Sequence, residues 1–379
     1  MKKKILITII ILLCALIAVE IAATASSRNV GVGEEDSEFA PEMLTETTAE
    51  TASLPTETPT PTPIPEPEPD TTAPFFMNIN RDAWVAVGNE FNINDFVSYI
   101  DNIDSDVELD ISGYVDTSVT GTYHLDLTIT DDEGNSCSDT MNVTVYQPSD
   151  DGSGGDYTGT TTENATPFAD FMAAYQGDSV HYGIDVSKWQ GDINWQSVAD
   201  AGCEFAFIRA GWSSAGEFHE DEYFIANMEG ATAAGIPIGI YVYTTDNTVE
   251  DVTALADLIC DMADGYNVQL PIVFDWENFF SGFQKYHLSI ADMNVLYHAF
   301  DDQVRSRGYS SMLYGSKFIF EIIWDDDILN VWLAHYTSQT DYAGFYRIWQ
   351  QSCTGTIPGI DAYVDMDLYY GDLPGGNNG

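Results

Sequence analysis

Between His181 and Asp372 the sequence alternates short apolar runs with amphipathic stretches, and that alternation constrains the fold more than any other feature. The runs Tyr182 to Val186, Phe205 to Ala210, Pro237 to Tyr243, Leu270 to Trp276, Ser311 to Tyr314, Val331 to His335, Phe345 to Gln350 and Ala362 to Asp367 read as strands. Two intervening helices have clear starts. Thr248 with Asp251 forms a capping box before Val252, Leu255, Leu258, Ile259 and Met262, and Ser289 with Asp292 does the same before Met293, Leu296, Phe300 and Val304. Strand and helix in alternation imply a parallel sheet, and eight strands within one domain length favour a barrel. The last three strands are too closely spaced to carry full helices, so the barrel is expected to be irregular at its end.

The remainder of the chain divides by composition. Lys2, Lys3 and Lys4 precede an apolar run from Ile5 to Val19, and Ala23-Thr24-Ala25 offers a small-residue cleavage site. Residues 1–25 therefore read as an export signal, either cleaved or kept as a membrane anchor. Residues 26–73 are acidic and rich in Thr and Pro, with Pro59, Pro61, Pro63, Pro65, Pro67 and Pro69 alternating with other residues, and read as an extended disordered linker. A second linker is expected over 148–180 and a flexible tail over 373–379. Between the linkers, 74–147 alternates in the strand period, with Tyr123, Leu125, Leu127 and Ile129 facing Met141, Val143 and Val145 across the Asp132-Glu133-Gly134-Asn135 turn. This is expected to be a small all-β sandwich. Its stretch from Ser112-Gly113 through Gly121-Thr122-Tyr123 to Gly134 and Asn135 resembles bacterial immunoglobulin-like domains of surface proteins, which implies a spacer or weak adhesion role.

With 61 Asp+Glu against 12 Lys+Arg the formal net charge is -49, which sets aside nucleic acid as a partner and opposes docking on anionic lipid. The acidic excess reads as a solvated surface. Cys137, Cys203, Cys260 and Cys353 lack CxxC spacing, so no zinc signature, metal or cofactor is expected; one bridge among the last three and unpaired thiols both stand open.

Reactive groups of a parallel barrel gather at strand ends. Leu270-Pro271-Ile272-Val273-Phe274-Asp275-Trp276-Glu277 places two acids at i and i+2, on one face of a strand with Cα atoms ~6.6 Å apart. Like charge at that distance is expected to raise one pKa. Asp185 ends the first strand, Asp365 and Asp367 the last, and closure would bring Asp185 and Asp365 beside Asp275 and Glu277. Seven of eight tryptophans lie in this block, with Trp189, Trp276, Trp332 and Trp349 near strand ends, where apolar faces of sugar rings could stack. Acids with aromatics favour a carbohydrate substrate.

The segments Gly183-Ile184-Asp185-Val186-Ser187-Lys188-Trp189-Gln190-Gly191, Phe207-Ile208-Arg209-Ala210-Gly211, Ala233-Ala234-Gly235-Ile236-Pro237-Ile238-Gly239-Ile240-Tyr241, Asp275-Trp276-Glu277, Trp349-Gln350 and Val364-Asp365 resemble family 25 glycoside hydrolases. The resemblance implies an irregular TIM-like (β/α)5(β)3 barrel over 181–372 and a secreted N-acetylmuramidase acting on peptidoglycan glycan strands, here as a monomer. Carried over by position, it implies Glu277 as general acid/base, Asp275 as the residue assisting the substrate acetamido group, and Asp185 and Asp365 as further pocket acids. Tyr241, Tyr243, Arg209, Trp349, Gln350, His335 and Tyr314 are the expected substrate contacts, Arg209 more as an orienter of a carboxylate. Tyr241-Val242-Tyr243-Thr244 stands where many members read Tyr-His-Phe, and His335 where glutamine is frequent. Retaining and inverting outcomes stay open, as do a non-catalytic glycan-binding adhesin and a chitin-type hydrolase.

Overall fold

The computed structural model describes residues 69–148 and 165–374. The export segment, nearly all of the proline-rich linker, about half of the second linker and the end of the tail lie outside the described residues. Among the described residues no helix is long and apolar enough to cross a membrane.

The first domain is built from β1 (Phe75–Ile79), β2 (Asp82–Ala86), β3 (Val97–Ile100), β4 (Glu108–Ser112), β5 (Gly121–Thr130) and β6 (Ser136–Tyr146). β1 pairs with β3, and a second sheet runs in the order β2-β6-β5-β4. The period-2 alternation of β5 and β6 buries Leu125, Leu127, Ile129, Met141 and Val143 in one core and turns Thr122, Asp126 and Thr140 to solvent.

After β7 (Thr166–Pro167) and α1 (Phe168–Ala174) the chain enters the barrel. Linker was expected through residue 180, but Phe168 and Phe171 lie one helical turn apart and are both buried in the barrel core, which fixes α1 to it. The barrel strands are β8 (Val180–Val186), β9 (Phe205–Ser214), β11 (Ile238–Thr244), β12 (Ile272–Asp275), β13 (Ser311–Ser316), β14 (Val331–Ala334), β15 (Ile348–Thr356) and β16 (Val364–Tyr370), with β10 (Glu217–Glu220) folded back on β9. Every one of the eight expected strands is present. β8 pairs with both β9 and β16, so the sheet closes. Helices α2 (Trp195–Asp200), α3 (Phe224–Ala234), α4 (Val249–Ala263), α5 (Ile290–Ser306) and α6 (Lys317–Ile322) follow the first five of these strands. The caps are as read from sequence: the hydroxyl of Thr248 accepts from Asp251 N at 3.1 Å, and that of Ser289 from Asp292 N at 3.1 Å.

Strand alternation divides the barrel into two apolar layers. Phe205, Phe207, Val273, Met312, Trp332, Ile348 and Tyr369 fill the inside, while Ile184, Ile208, Ile240, Phe274, Leu313 and Leu368 lie in the layer under the helices. Glycines make room for the inner rings: a Cβ on Gly183 would sit 2.4 Å from Phe205, and one on Gly239 2.2 Å from Phe207. The floor of the site is therefore solid.

Among the described residues the sandwich and the barrel belong to one compact unit, the sandwich packed on the barrel. Met77 and Ile100 belong to the barrel's outer core cluster. Asn78 Nδ2 donates to Phe280 O at 3.1 Å, Ser98 Oγ donates to Phe279 O, and Gln284 Nε2 donates to Asn94 Oδ1 at 2.7 Å. The first turn of α5 closes the contact, with Ile290 N and Ala291 N donating to Asp101 O and Asn102 O. All these barrel partners lie in the stretch that follows Glu277.

Candidate active site

β12 brings Ile272 and Phe274 to the outer layer and Val273 and Asp275 to the inner one, so Asp275 stands directly above an apolar floor. Glu277 continues the inner phase past the strand end. The two carboxyls are near enough for each to shift the other's titration, and Asp275 Oδ1 is buried without a hydrogen-bond donor. Asp275 is 6% exposed and Glu277 half-buried. Burial lifts Asp275 well above the carboxylate range, reinforced by the charge of Glu277. Glu277 is also raised by burial, with Asp275 and Tyr314 holding it back. Burial thus biases both acids toward their protonated forms.

Asp185 is the hub of a second network. Gln350 Nε2 donates to its Oδ2 at 2.8 Å, and Gln350 Oε1 accepts from the hydroxyls of Tyr314 and Tyr336, each at 2.8 Å. Below it, Asp367 accepts from Trp332 Nε1 at 2.8 Å, while its Oδ2 is buried without a donor. Asp185 is pushed up to about 6, by burial first. Asp365, half-buried, is raised well above its usual range by burial and then by Asp185 and Glu277.

Asp365 reaches this place by a different route from the one expected. β16 runs antiparallel to both neighbours, so its beginning, not its end, lies at the mouth. Asp365 consequently pairs across from Asp185, while Asp367, opposite Gly183, sits a layer deeper and fully buried.

The expected substrate contacts separate into two groups. Tyr241, Tyr243, Tyr314 and Gln350 are on the inner phase; Tyr243 lies beside Asp275 in register, and Tyr314 beside it on the other side. Arg209 shares that phase but gives Nε and Nη2 to Asp221 Oδ2, both at 2.7 Å, while Asp221 also takes Lys188 N. Its charge still reaches Asp185 and Asp275, lowering both. Trp349 faces the other way: it is 4% exposed, donates to His335 O at 2.8 Å and meets Tyr175 edge-on. Alternation along β15 puts Ile348 and Gln350 inside, hence Trp349 outside. The imidazole of His335 hydrogen-bonds Thr340 at 2.8 Å, away from the acids, and burial pulls it below the ordinary histidine range.

Three of the four tryptophans expected as a sugar platform are buried, Trp349 among them. Trp276 and Trp332 are buried, the first in an aromatic cluster with Phe279, Phe283 and Tyr286. Trp189 is exposed, at 54%. Two residues went unnoticed in the sequence. Tyr336 continues the phase of Trp332 past the end of β14, a signal that strict alternation would have shown. Trp212 is brought abreast of Tyr243 by a bulge at Ala210, where the pairing of β9 with β11 slips by one residue. The four cysteines at 137, 203, 260 and 353 are unpaired.

A closed barrel with an apolar floor and a cluster of raised carboxylic acids under phenols has the equipment of a hydrolase that works by proton transfer. Comparison with known proteins narrows this. Residues 184–360 match the model of glycosyl hydrolases family 25, and 77–145 that of the bacterial surface protein Ig-like domain. Lysozyme M1 of Streptomyces globisporus is 33% identical over 202 residues, covering 50% of this chain and 67% of that protein. The autolytic lysozyme of Clostridium acetobutylicum is 25% identical over 198 residues, 51% of this chain and 57% of its own. A crystal structure of a lysozyme from Streptomyces coelicolor is 30% identical, covering 52% of this chain and 94% of that one with a TM-score of 0.44. The chain belongs to glycosyl hydrolases family 25 and is a glycoside hydrolase of the lysozyme type.

Proposed function

We propose that the protein is exported and cleaves the β-1,4 bond between N-acetylmuramic acid and N-acetylglucosamine in peptidoglycan, with Glu277 as general acid/base and Asp275 assisting the acetamido group. The observation that carries this is the placement of Asp275 and Glu277 together at the end of β12, above the apolar floor, with burial raising both. A nucleophile supplied by the substrate's own acetamido group, an exception to the two-carboxylate rule, is what the family resemblance supports. The five helices after the first five strands agree with the (β/α)5(β)3 form of the family barrel.

An acetamido N–H placed against Asp275 is a donor, so it favours the Asp275 carboxylate and leaves a proton on Glu277. Glu277 then gives it to the glycosidic oxygen as the bond to C1 breaks and the acetamido oxygen attacks C1. The oxazolinium ion so formed keeps its N–H on Asp275. Water attacks C1 from the leaving-group side, Glu277 takes its proton, and the product retains configuration.

Digestion of purified peptidoglycan by the full chain, followed by borohydride reduction of the new ends, tests the bond assignment. Reduced muramic acid is expected; reduced glucosamine would overturn it. Chitin oligomers are expected to survive, and binding of glycan without new ends would favour the adhesin reading.

A further inference from the structure

We propose that Asp70, Asp101 and Asp131 hold a calcium ion that ties the sandwich together where it meets the barrel. These acids come from three separate segments: the stretch before β1, the loop after β3, and the turn between β5 and β6. One oxygen from each lies within 4.8 Å of the others. That separation is about twice a calcium–oxygen bond of roughly 2.4 Å, so a single ion can reach all three.

Two of the three acids, Asp70 and Asp101, each keep one buried oxygen without a donor. Asp101 is fully buried; its Oδ1 accepts from Ile103 N and Asp104 N, both at 2.9 Å, while Oδ2 has no donor. Asp70 Oδ2, Asn102 Oδ1 and Asp104 Oδ2 are likewise buried without a donor. A buried carboxylate oxygen left bare is costly, and here several crowd one loop. Protein cations do not answer them: Arg81, the sandwich's sole Lys or Arg, pairs with Asp139. Asn135 braces the cluster, donating from its side chain to Asp131 Oδ2 at 2.9 Å and to Asp70 O at 3.2 Å. An all-oxygen, multiply acidic set on loops suits calcium over softer metals and over magnesium.

The same loop carries the carbonyls of Asp101 and Asn102 that receive Ile290 N and Ala291 N of α5. An ion at Asp101 therefore fixes the seat of the barrel helix that starts just after the active-site loop.

The test is titration of the chelator-stripped full chain with calcium chloride at physiological ionic strength, by calorimetry and by thermal melting. One saturable site and a Tm rise of several degrees are expected. Asp70→Asn and Asp101→Asn should each weaken binding at least ~10-fold, whereas Asp302→Asn, on the exposed face of α5, should not. If Asp101→Asn fails to fold, Asp70→Asn decides alone. A folded wild type without saturable binding, or binding weakened equally by Asp302→Asn, overturns the site. Equal Tm shifts with magnesium overturn the choice of ion.

Discussion

Asp185 and Asp365 stand opposite each other in the antiparallel pairing that closes the barrel between its first and last strands. Burial favours the protonated form of both, and the charge of Asp185 adds to it at Asp365. A folded-state pKa of about 6 for Asp185 means full stability below the ordinary carboxylate range, lost as pH rises through 6. Asp185→Asn retains an acceptor for Gln350 and removes the charge. It is expected to stabilise the fold at about pH 8 by on the order of 2 kcal/mol and to change little at about pH 4. Urea unfolding at the two pH values checks this; an equal gain at both would contradict it.

The catalytic pair makes a second pH prediction. On the proposed mechanism Glu277 must carry a proton, so kcat/KM should fall on the alkaline side with an apparent pKa above the usual carboxylate range. The charge of Asp185 helps to raise Asp275. Asp185→Asn should therefore move the alkaline limb to lower pH. A limb that stays in place would show that the two networks are electrostatically separate.

Tyr314 stands between those networks: its hydroxyl donates to Gln350 Oε1 at 2.8 Å and, by turning, can donate to Glu277 when that group ionises, which holds the Glu277 pKa down. Tyr314→Phe should lower kcat/KM about 10- to 100-fold, the worth of a hydrogen bond to a charged group, and shift the alkaline limb upward. A loss in KM alone would make Tyr314 a binding residue only.

Arg209 and Asp221 form a buried bidentate contact at 2.7 Å. Arg209→Met leaves Asp221 buried and unpaired and should cost about 3–5 kcal/mol. Replacing both, as Arg209→Met with Asp221→Leu, should recover most of that stability. Denaturant melts of the two variants distinguish a structural pair from a substrate contact.

The sandwich reaches the loop after Glu277 through Ser98 Oγ and the carbonyl of Phe279. Ser98→Ala leaves a buried carbonyl short of a donor and should cost about 1 kcal/mol. Stability by thermal melting should fall while the Asp275–Glu277 alkaline limb stays fixed.

The strands were legible because each is a short apolar run between turns, and Asp275 and Glu277 because the strand period alone puts them on one face. What sequence could not show depends on direction and partner. Asp365 sits at the mouth only because β16 runs backwards. Trp349 turned out to lie outside because its neighbours on β15 fill the inside, and Trp212 joins Tyr243 through a one-residue slip. Phe168 and Phe171 looked like linker because the polar stretch before them hides a single buried turn. The docking of the sandwich rests on contacts between residues some two hundred positions apart, such as Asn78 with Phe280, which no local pattern records.

The most direct measurement is reducing-end release from peptidoglycan by the full chain, compared with Glu277→Gln and Asp275→Asn. Glu277→Gln should retain binding to the glycan and lose activity about 10²- to 10⁴-fold, the usual worth of a general acid, with Asp275→Asn also impaired. Release by Glu277→Gln at the wild-type rate would contradict the role assigned to the pair.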